Sequence, residues 1–424
     1  MSTQVLAAEP VATGIVVGTP AYRRLRWSLF IGGFSTFALL HCVQPLLPLL
    51  SHAFALSPAQ ASVALSAATA SLALSLVIAS ALSDRFGRRP LMIGALLLSA
   101  ALAIASGFAS GFSQLVLLRA LEGIALAGLP AVAMAYLSEE MEPSSLAHAM
   151  GVYIAGSAVG GMSGRMIAAW LAEWWSWQVA LGTLGVVSLL AALAFWWCLP
   201  ASRGFRARSL HPRVLYAGAR AHLTDAGLPW LYALAFLLMG CFVSAYNYLG
   251  YRLQAPPFAL GPGVTGLIFA LYMVGSVAST GSARLSARLG RARALLLLIG
   301  AGLSGLLLML SESVAAIVLG LALFNIGFFG AHATASSWVG RRAQQARGLA
   351  AALYLTAYYA GASLLGTFSG LLWHRGGWAA VVGVLAFCLL LAAGIAVRLW
   401  RLESAAVRGA AADVERAAAG VSAA

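Results

Sequence analysis

Residues 178–199, QVALGTLGVVSLLAALAFWWCL, run for 22 positions without an ionised side chain. That length suffices for the roughly 20 residues that an α-helix needs to cross a hydrocarbon core. The run does not alternate between apolar and polar residues, which speaks against a barrel strand. The rest of the chain has the same character: 61% of its 424 residues are hydrophobic, 9% are charged, and the mean hydropathy is +0.89. Soluble domains carry about 25% charged residues, so much of this chain takes lipid as its solvent. In lipid the backbone polar groups must be satisfied inside helices or a closed barrel.

Comparable runs predict twelve spans near 27–50, 61–82, 90–109, 113–138, 146–170, 177–199, 228–250, 264–286, 294–311, 313–337, 346–370 and 377–400. The domain reading is a cytoplasmic N-terminal segment 1–26, a six-helix bundle 27–199, a cytoplasmic central loop 200–227, a second six-helix bundle 228–400, and a mobile, Ala-rich cytoplasmic tail 401–424. Residues 1–20 lack the basic, apolar and cleavage regions of a signal peptide, so span 1 is expected to stay in the mature protein.

Every basic residue is Arg. Three precede span 1, three follow span 2, five lie in 203–220, four follow span 8, three follow span 10 and four come from Arg398 onward, which puts 22 of 26 on one side. Arg252 and Arg375 lie opposite, and Arg119 and Arg165 fall inside spans. The positive-inside rule then predicts that both termini are cytoplasmic. The net charge of +14 is a topology signal rather than a sign of nucleic-acid binding.

Cys42, Cys198, Cys241 and Cys388 have no metal-ligand spacing and read as apolar packing residues. No phosphate loop, HExxH pair, GxSxG elbow or dinucleotide fingerprint appears. No enzyme activity, cofactor or metal is therefore expected, and the energy for any transport must come from a gradient.

The two halves repeat. Ser83-Asp84-Arg85-Phe86-Gly87-Arg88-Arg89 after span 2 corresponds to Ser286-Ala287-Arg288-Leu289-Gly290-Arg291-Ala292 after span 8, a shift of 203; Trp177 corresponds to Trp378, a shift of 201. Two related six-helix halves place a binding site between them near the bilayer midplane.

On these features the chain resembles the major facilitator superfamily, an all-α membrane fold of twelve helices in two pseudo-symmetric bundles. Within it, Cys42-Val43-Gln44-Pro45-Leu46-Leu47-Pro48, Ala135-Tyr136-Leu137-Ser138-Glu139-Glu140 and Gly160-Gly161-Met162-Ser163-Gly164-Arg165 resemble the YnfM-like exporters of the drug or solute:proton antiporter kind. The family's loop motif GxxxDxxGR[RK] is matched by Asp84, Gly87, Arg88 and Arg89, with Ser80 in place of its first Gly. The resemblance makes Asp84, Gly87, Arg88 and Arg89 a cytoplasmic gate, the alternative being that the arginines only anchor a short turn. The second copy lacks the acid at Ala287.

In span 4, Leu115, Arg119, Glu122 and Gly123 resemble LxxxRxxQG, with Glu in the place of Gln. Arg119 and Glu122 share a helix face, and ionisable groups inside spans are functional candidates by default. The resemblance gives Arg119 a part in proton coupling and makes Glu122 the leading proton carrier; a permanent structural ion pair is the alternative. Asn325 stands at the related position in the other half. Span 5 resembles the antiporter motif GxxxxxxxxGxxxGPxxGG: Gly151, Gly160 and Gly164 keep its spacing, and Arg165 replaces its Pro. Its small residues are expected to contact the opposite half. Arg165 is read as a partner for Glu122, a site for an anionic group, or a structural bridge.

His41, Gln44, Tyr153, Asn247, Asn325, His332, Tyr354 and Tyr358 are the substrate-cavity candidates, each of which could equally bond a neighbouring helix. Glu139, Glu140 and Glu142 are expected to pair with loop arginines. Trp174, Trp175 and Trp177 are expected in an interfacial belt.

The leading function is proton-coupled efflux of a small organic solute or drug across the bacterial inner membrane. Import or uniport on the same fold, and a non-transporting receptor, are the alternatives. The partners expected are a small-molecule substrate, protons and membrane lipid but no nucleic acid, and the working unit is expected to be a monomer.

Overall fold

The computed structural model describes residues 14–202, 205 and 212–422. Residues 1–13 of the expected N-terminal segment, and Arg203, Arg206 and Arg208, lie outside the described residues. Among those described there is no β-strand, only an isolated bridge between Ile15 and Met141.

Twelve helical spans form among the described residues. Spans 1 to 6 are Pro20–Ala53, Pro58–Phe86, Arg88–Ser106, Phe112–Glu140, Pro143–Trp174 and Trp177–Cys198. Spans 7 to 10 are Leu228–Gln254, Pro262–Leu289, Arg291–Leu308 and Val314–Arg342. Spans 11 and 12 belong to one helical stretch, Arg347–Ser422, broken where Gly376 and Gly377 leave helical geometry.

The helix ends follow local chemistry. Thr19 caps span 1 with Pro20 at the first helical position, so the span begins at 20 rather than 27 and takes in Arg23, Arg24 and Arg26. Ser57 and Gln60 form a capping box at span 2, and Ser176 and Ser313 cap spans 6 and 10. Gly87 and Gly290, at φ +96° and +82°, turn the chain out of spans 2 and 8 at equivalent points of the repeat.

Two regions expected to be loop or tail are helical. The central segment contains a helix, Pro212–Thr224. The last helix continues past 400 to Ser422, because an Ala-rich sequence has high helix propensity.

The halves differ in backbone. Span 1 breaks at Cys42 into a 3-10 turn, Gln44–Leu46, and a short helix, Leu47–Ala53. Pro45 cannot donate to the carbonyl of His41, so the first helix ends there. Span 4 breaks at Ala127–Leu129 before Pro130, while spans 7 and 10, their repeat mates, run unbroken. Large apolar side chains such as Leu74, Ile78, Leu117, Leu190, Val277, Leu319 and Leu364 stay exposed around the bundle, the perimeter that lipid covers.

The halves meet from the Arg-poor side to the middle. Gly263 donates to Glu173, and the Tyr251 hydroxyl meets Ser51 Oγ at 2.7 Å and the Leu47 carbonyl at 2.9 Å. Ser66 and Ser363 bond each other's carbonyls at 3.1 and 3.0 Å, and Thr356 reaches the Ala73 carbonyl at 3.4 Å. Among the described residues, no ion pair on the Arg-rich side joins one half to the other.

Candidate functional site

The ion pair in span 4 belongs to the broken end of span 1. Where that helix stops, the carbonyls of its last turn lack backbone donors. Arg119 supplies them: Nη1 donates to the Leu39 carbonyl at 3.0 Å, Nη2 to that of Leu40 at 2.7 Å and Nε to Ala64 in span 2 at 3.4 Å. A cation at a helix C-terminus also complements the helix dipole. Arg119 Nη1 bonds Glu122 Oε2 at 2.6 Å as well, and both side chains are fully buried. The second carboxylate oxygen, Oε1, has no partner. Arg119 is thus held by three carbonyls independently of Glu122, which keeps one oxygen free.

Arg165 does not pair with Glu122. Its Nε donates to Gln44 Oε1 at 2.6 Å and its Nη1 to the Gly161 carbonyl, one turn back in its own helix, also at 2.6 Å. The guanidinium lies over Tyr272 at 4.8 Å and Phe269 at 5.2 Å, both from span 8. Gln44 Nε2 in turn donates to Asn247 Oδ1 at 2.7 Å and to the Val243 carbonyl at 3.3 Å. This polar chain crosses from one half to the other through buried Gln44 and Asn247. Arg119, on the Leu39 and Leu40 carbonyls, and Arg165, on the Gln44 side chain, thus both bond the broken segment of span 1.

The other candidates divide. His41 is buried with Nδ1 on the Phe37 carbonyl at 3.4 Å and Nε2 unpartnered; the Tyr153 hydroxyl is also unpartnered. Tyr354 bonds His332 Nδ1 at 2.9 Å, and the His332 ring lies 4.7 Å from that of Tyr358. Asn325 bonds the Tyr246 hydroxyl through both its amide atoms, at 2.8 and 3.2 Å, so neither atom is without a partner.

At the Arg-rich end, Arg88 bonds Asp84 at 2.5 Å, both oxygens of Glu139 between 2.8 and 3.3 Å, and Ser83. Arg89 donates to the carbonyls of Trp196 and Leu199 at the end of span 6. Glu139 therefore pairs as expected, and Glu140 accepts from Ser202 at 2.8 Å.

Two expectations need correction. The span 5 glycines face span 1 of their own half, not the opposite half. A methyl carbon placed on Gly160 would fall 2.1 Å from the Phe34 carbonyl oxygen, and one on Gly164 would fall 2.6 Å from Ala38 Cα. Gly151 has open space around it, and Gly156, against Phe30, completes the stripe one turn before Gly160. In the aromatic cluster, Trp174 and Trp175 are exposed, but Trp177 is buried with its ring 5.6 Å from that of Phe54. Its helix starts at that position and turns the side chain inward.

Sequence reasoning passed over Phe269, Tyr246 and Tyr272, because an aromatic residue in a span looks like any apolar one. It also left out the Gln44–Asn247 contact, although their 203-residue separation is the repeat interval.

These features define a polytopic membrane protein of two pseudo-symmetric six-helix halves with a buried polar centre between them. The sequence model of the Major Facilitator Superfamily matches residues 29–255, and the chain belongs to that family of secondary transporters. It is 44% identical over 384 residues to the inner membrane transport protein YnfM of Escherichia coli (strain K12), covering 91% of this chain and 92% of that one. It is 42% identical to the uncharacterized MFS-type transporter YybF of Bacillus subtilis (strain 168), covering 90% and 94%. A bacterial homologue of the human lysosomal transporter Spinster, solved in an inward-facing, occupied conformation, shares the fold with a TM-score of 0.75 at 16% identity, over 90% of this chain and 97% of that one.

Proposed function

We propose that this protein is a proton-coupled exporter of a small organic solute, working by alternating access in the bacterial inner membrane with both termini in the cytoplasm. The observation that carries the reading is the free Oε1 of fully buried Glu122 beside an arginine anchored elsewhere. When Glu122 takes a proton, Arg119 keeps its bonds to the carbonyls of Leu39, Leu40 and Ala64. Protonation then leaves the Arg119 donors satisfied and its charge facing three carbonyl dipoles, which lowers the cost of breaking the buried ion pair.

With the Arg-rich side in the cytoplasm, the hydrogen bonds between the halves among the described residues lie on the periplasmic side and at the middle, as in an inward-facing arrangement. The gate residues Asp84, Gly87, Arg88 and Arg89 then wait within one half, to meet the other when the cytoplasmic side closes. Span 5 runs unbroken from Pro143 to Trp174 without the Pro of the antiporter motif, which keeps import or uniport as the second reading.

Everted membrane vesicles with an acidified lumen test this. Addition of a panel of organic solutes should dissipate the pH gradient for the transported one, and Glu122→Gln should abolish that response. A response unchanged in Glu122→Gln overturns the assignment.

A further inference from the structure

The direction of the hydrogen bonds around Arg165 specifies what the centre lacks. A guanidinium only donates, so the Gln44 atom that meets Arg165 Nε must be the oxygen. The Val243 carbonyl only accepts, so the Gln44 atom that meets it must be the nitrogen; the two constraints agree on one orientation of the amide. Gln44 then presents N–H to Asn247, which must answer with Oδ1. The Asn247 NH2 group is left over, buried and unpartnered. The Tyr272 hydroxyl, on the ring beneath Arg165, is also buried and unpartnered.

The charge balance points the same way. Glu122 is matched by Arg119. Among the described residues no carboxylate lies within ion-pair distance of Arg165, which is 2% exposed. A buried cation with no counter-ion costs several kcal/mol, and here it is offset only by an amide, a carbonyl and two aromatic faces. Arg165 reaches Asn247 through Gln44 and lies over Tyr272 and Phe269, so the spare positive charge and both side chains with unpartnered donors belong to one chain of contacts.

We propose that Arg165, Asn247 and Tyr272 form a carboxylate-binding site at the junction of spans 5, 7 and 8, and that the transported solute is a small organic monocarboxylate. The carboxylate accepts from the Asn247 NH2 and the Tyr272 hydroxyl and neutralises Arg165, while its apolar part lies against the aromatic walls. Because Arg165 belongs to the first half and Asn247 and Tyr272 to the second, occupancy ties the halves together at the centre. The proposal rests on the transport reading and names its substrate class.

The test is thermal stabilisation of the purified full-length protein by millimolar acetate, butyrate, benzoate and phenylacetate, each paired with its neutral amide. At least one carboxylate should raise the melting temperature where its amide does not. Arg165→Gln should weaken that carboxylate by about tenfold or more, the loss of one charge-assisted bond, and Asn247→Leu should weaken it too. Arg165→Lys keeps the charge and should still prefer the carboxylate to the amide, which covers the case in which Arg165→Gln does not fold. If no carboxylate outperforms its amide, or if Arg165→Gln leaves the preference intact, the site is overturned. Carboxylate binding without dissipation of a pH gradient would overturn the transport reading and leave the site standing. Gradient dissipation by a neutral solute, unchanged in Arg165→Gln, would do the reverse.

Discussion

Gln44 of span 1 donates a 2.7 Å hydrogen bond to Asn247 of span 7, and the two residues lie 203 positions apart, the interval that relates the two copies of the loop motif. Pseudo-symmetric mates therefore touch at the centre of the molecule. A contact between equivalent residues lies close to the axis relating the halves, so rocking of the halves strains it less than contacts near either membrane face. Ser66 with Ser363 and Ser51 with Tyr251 lie away from it and should open and close.

Ser66 and Ser363 exchange side-chain to backbone bonds, a direct contact that makes the pair a candidate for an engineered disulfide. In a background without Cys42, Cys198, Cys241 and Cys388, Ser66→Cys with Ser363→Cys should cross-link under a membrane-permeant oxidant. The halves would then stay joined on a gel after cleavage at a protease site introduced between 203 and 211. Transport should stop, and cysteines introduced at the Arg-rich mouth should remain open to an impermeant maleimide. Failure to cross-link would show that spans 2 and 11 do not meet there.

Arg119 and Glu122 should behave unequally. Arg119→Leu removes the donors that hold the end of span 1 and strands a buried carboxylate, a change worth about 3–5 kcal/mol. Glu122→Gln retains an acceptor for Arg119. Detergent-solubilised Arg119→Leu should melt far below wild type or fail to accumulate, with Glu122→Gln near wild type. Adding Glu122→Leu to Arg119→Leu should recover part of the loss. Equal losses in the two single variants would mean that the ion pair, not the capping of span 1, is what Arg119 contributes.

Much of this was legible in sequence. Hydropathy runs found the spans, because lipid leaves a chain few options, and the 203-residue shift found the repeat. The pairing of Arg119 with Glu122 followed from their spacing of three. The capping of span 1 by Arg119 did not, since nothing local to residue 119 records that Pro45 ends a helix in another span. The facing of Gly160 and Gly164 toward span 1 was hidden for a similar reason: a stripe of small residues shows that a helix packs closely but not against which neighbour. Arg165 was recognised as a deep cation, yet its surroundings of Gln44, Phe269 and Tyr272 are contributed by spans far away in the chain.

The glycine stripe separates two positions that the motif treats alike. Gly160→Val sets new carbon atoms against the Phe34 backbone, which cannot yield as a flexible side chain would. Overpacking of this kind costs about 1–3 kcal/mol and sometimes more, so the melting temperature should drop or the protein should not assemble. Gly151→Ala meets open space inside a helix and should gain about 0.5–1 kcal/mol of helix propensity. Thermostability measured in detergent should rank Gly151→Ala at or above wild type and Gly160→Val well below it; the reverse order would contradict the packing of spans 1 and 5.

Outside the membrane, Asp225 ties the central segment to the second half. It bonds Arg342 at 2.5 and 3.2 Å and accepts from the amides of Gly227 and Leu228 at the start of span 7. Burial alone would raise its pKa, but the bonds from Arg342 and from these two amides outweigh that and hold it below the ordinary 3.8. A carboxyl depressed in the folded state contributes stability that is complete above its unfolded pKa and is lost as pH falls through the folded value. Amide exchange across residues 212–228, corrected for its intrinsic pH dependence, should therefore be flat from pH 8 to about 5 and accelerate below about 4. Asp225→Asn keeps a capping oxygen for the two amides and loses only the ion pair with Arg342. It should show the faster exchange already at neutral pH and little further change in acid, and Arg342→Gln should match it. Wild-type exchange that stays flat down to pH 3 would mean that the ion pair does not hold this segment.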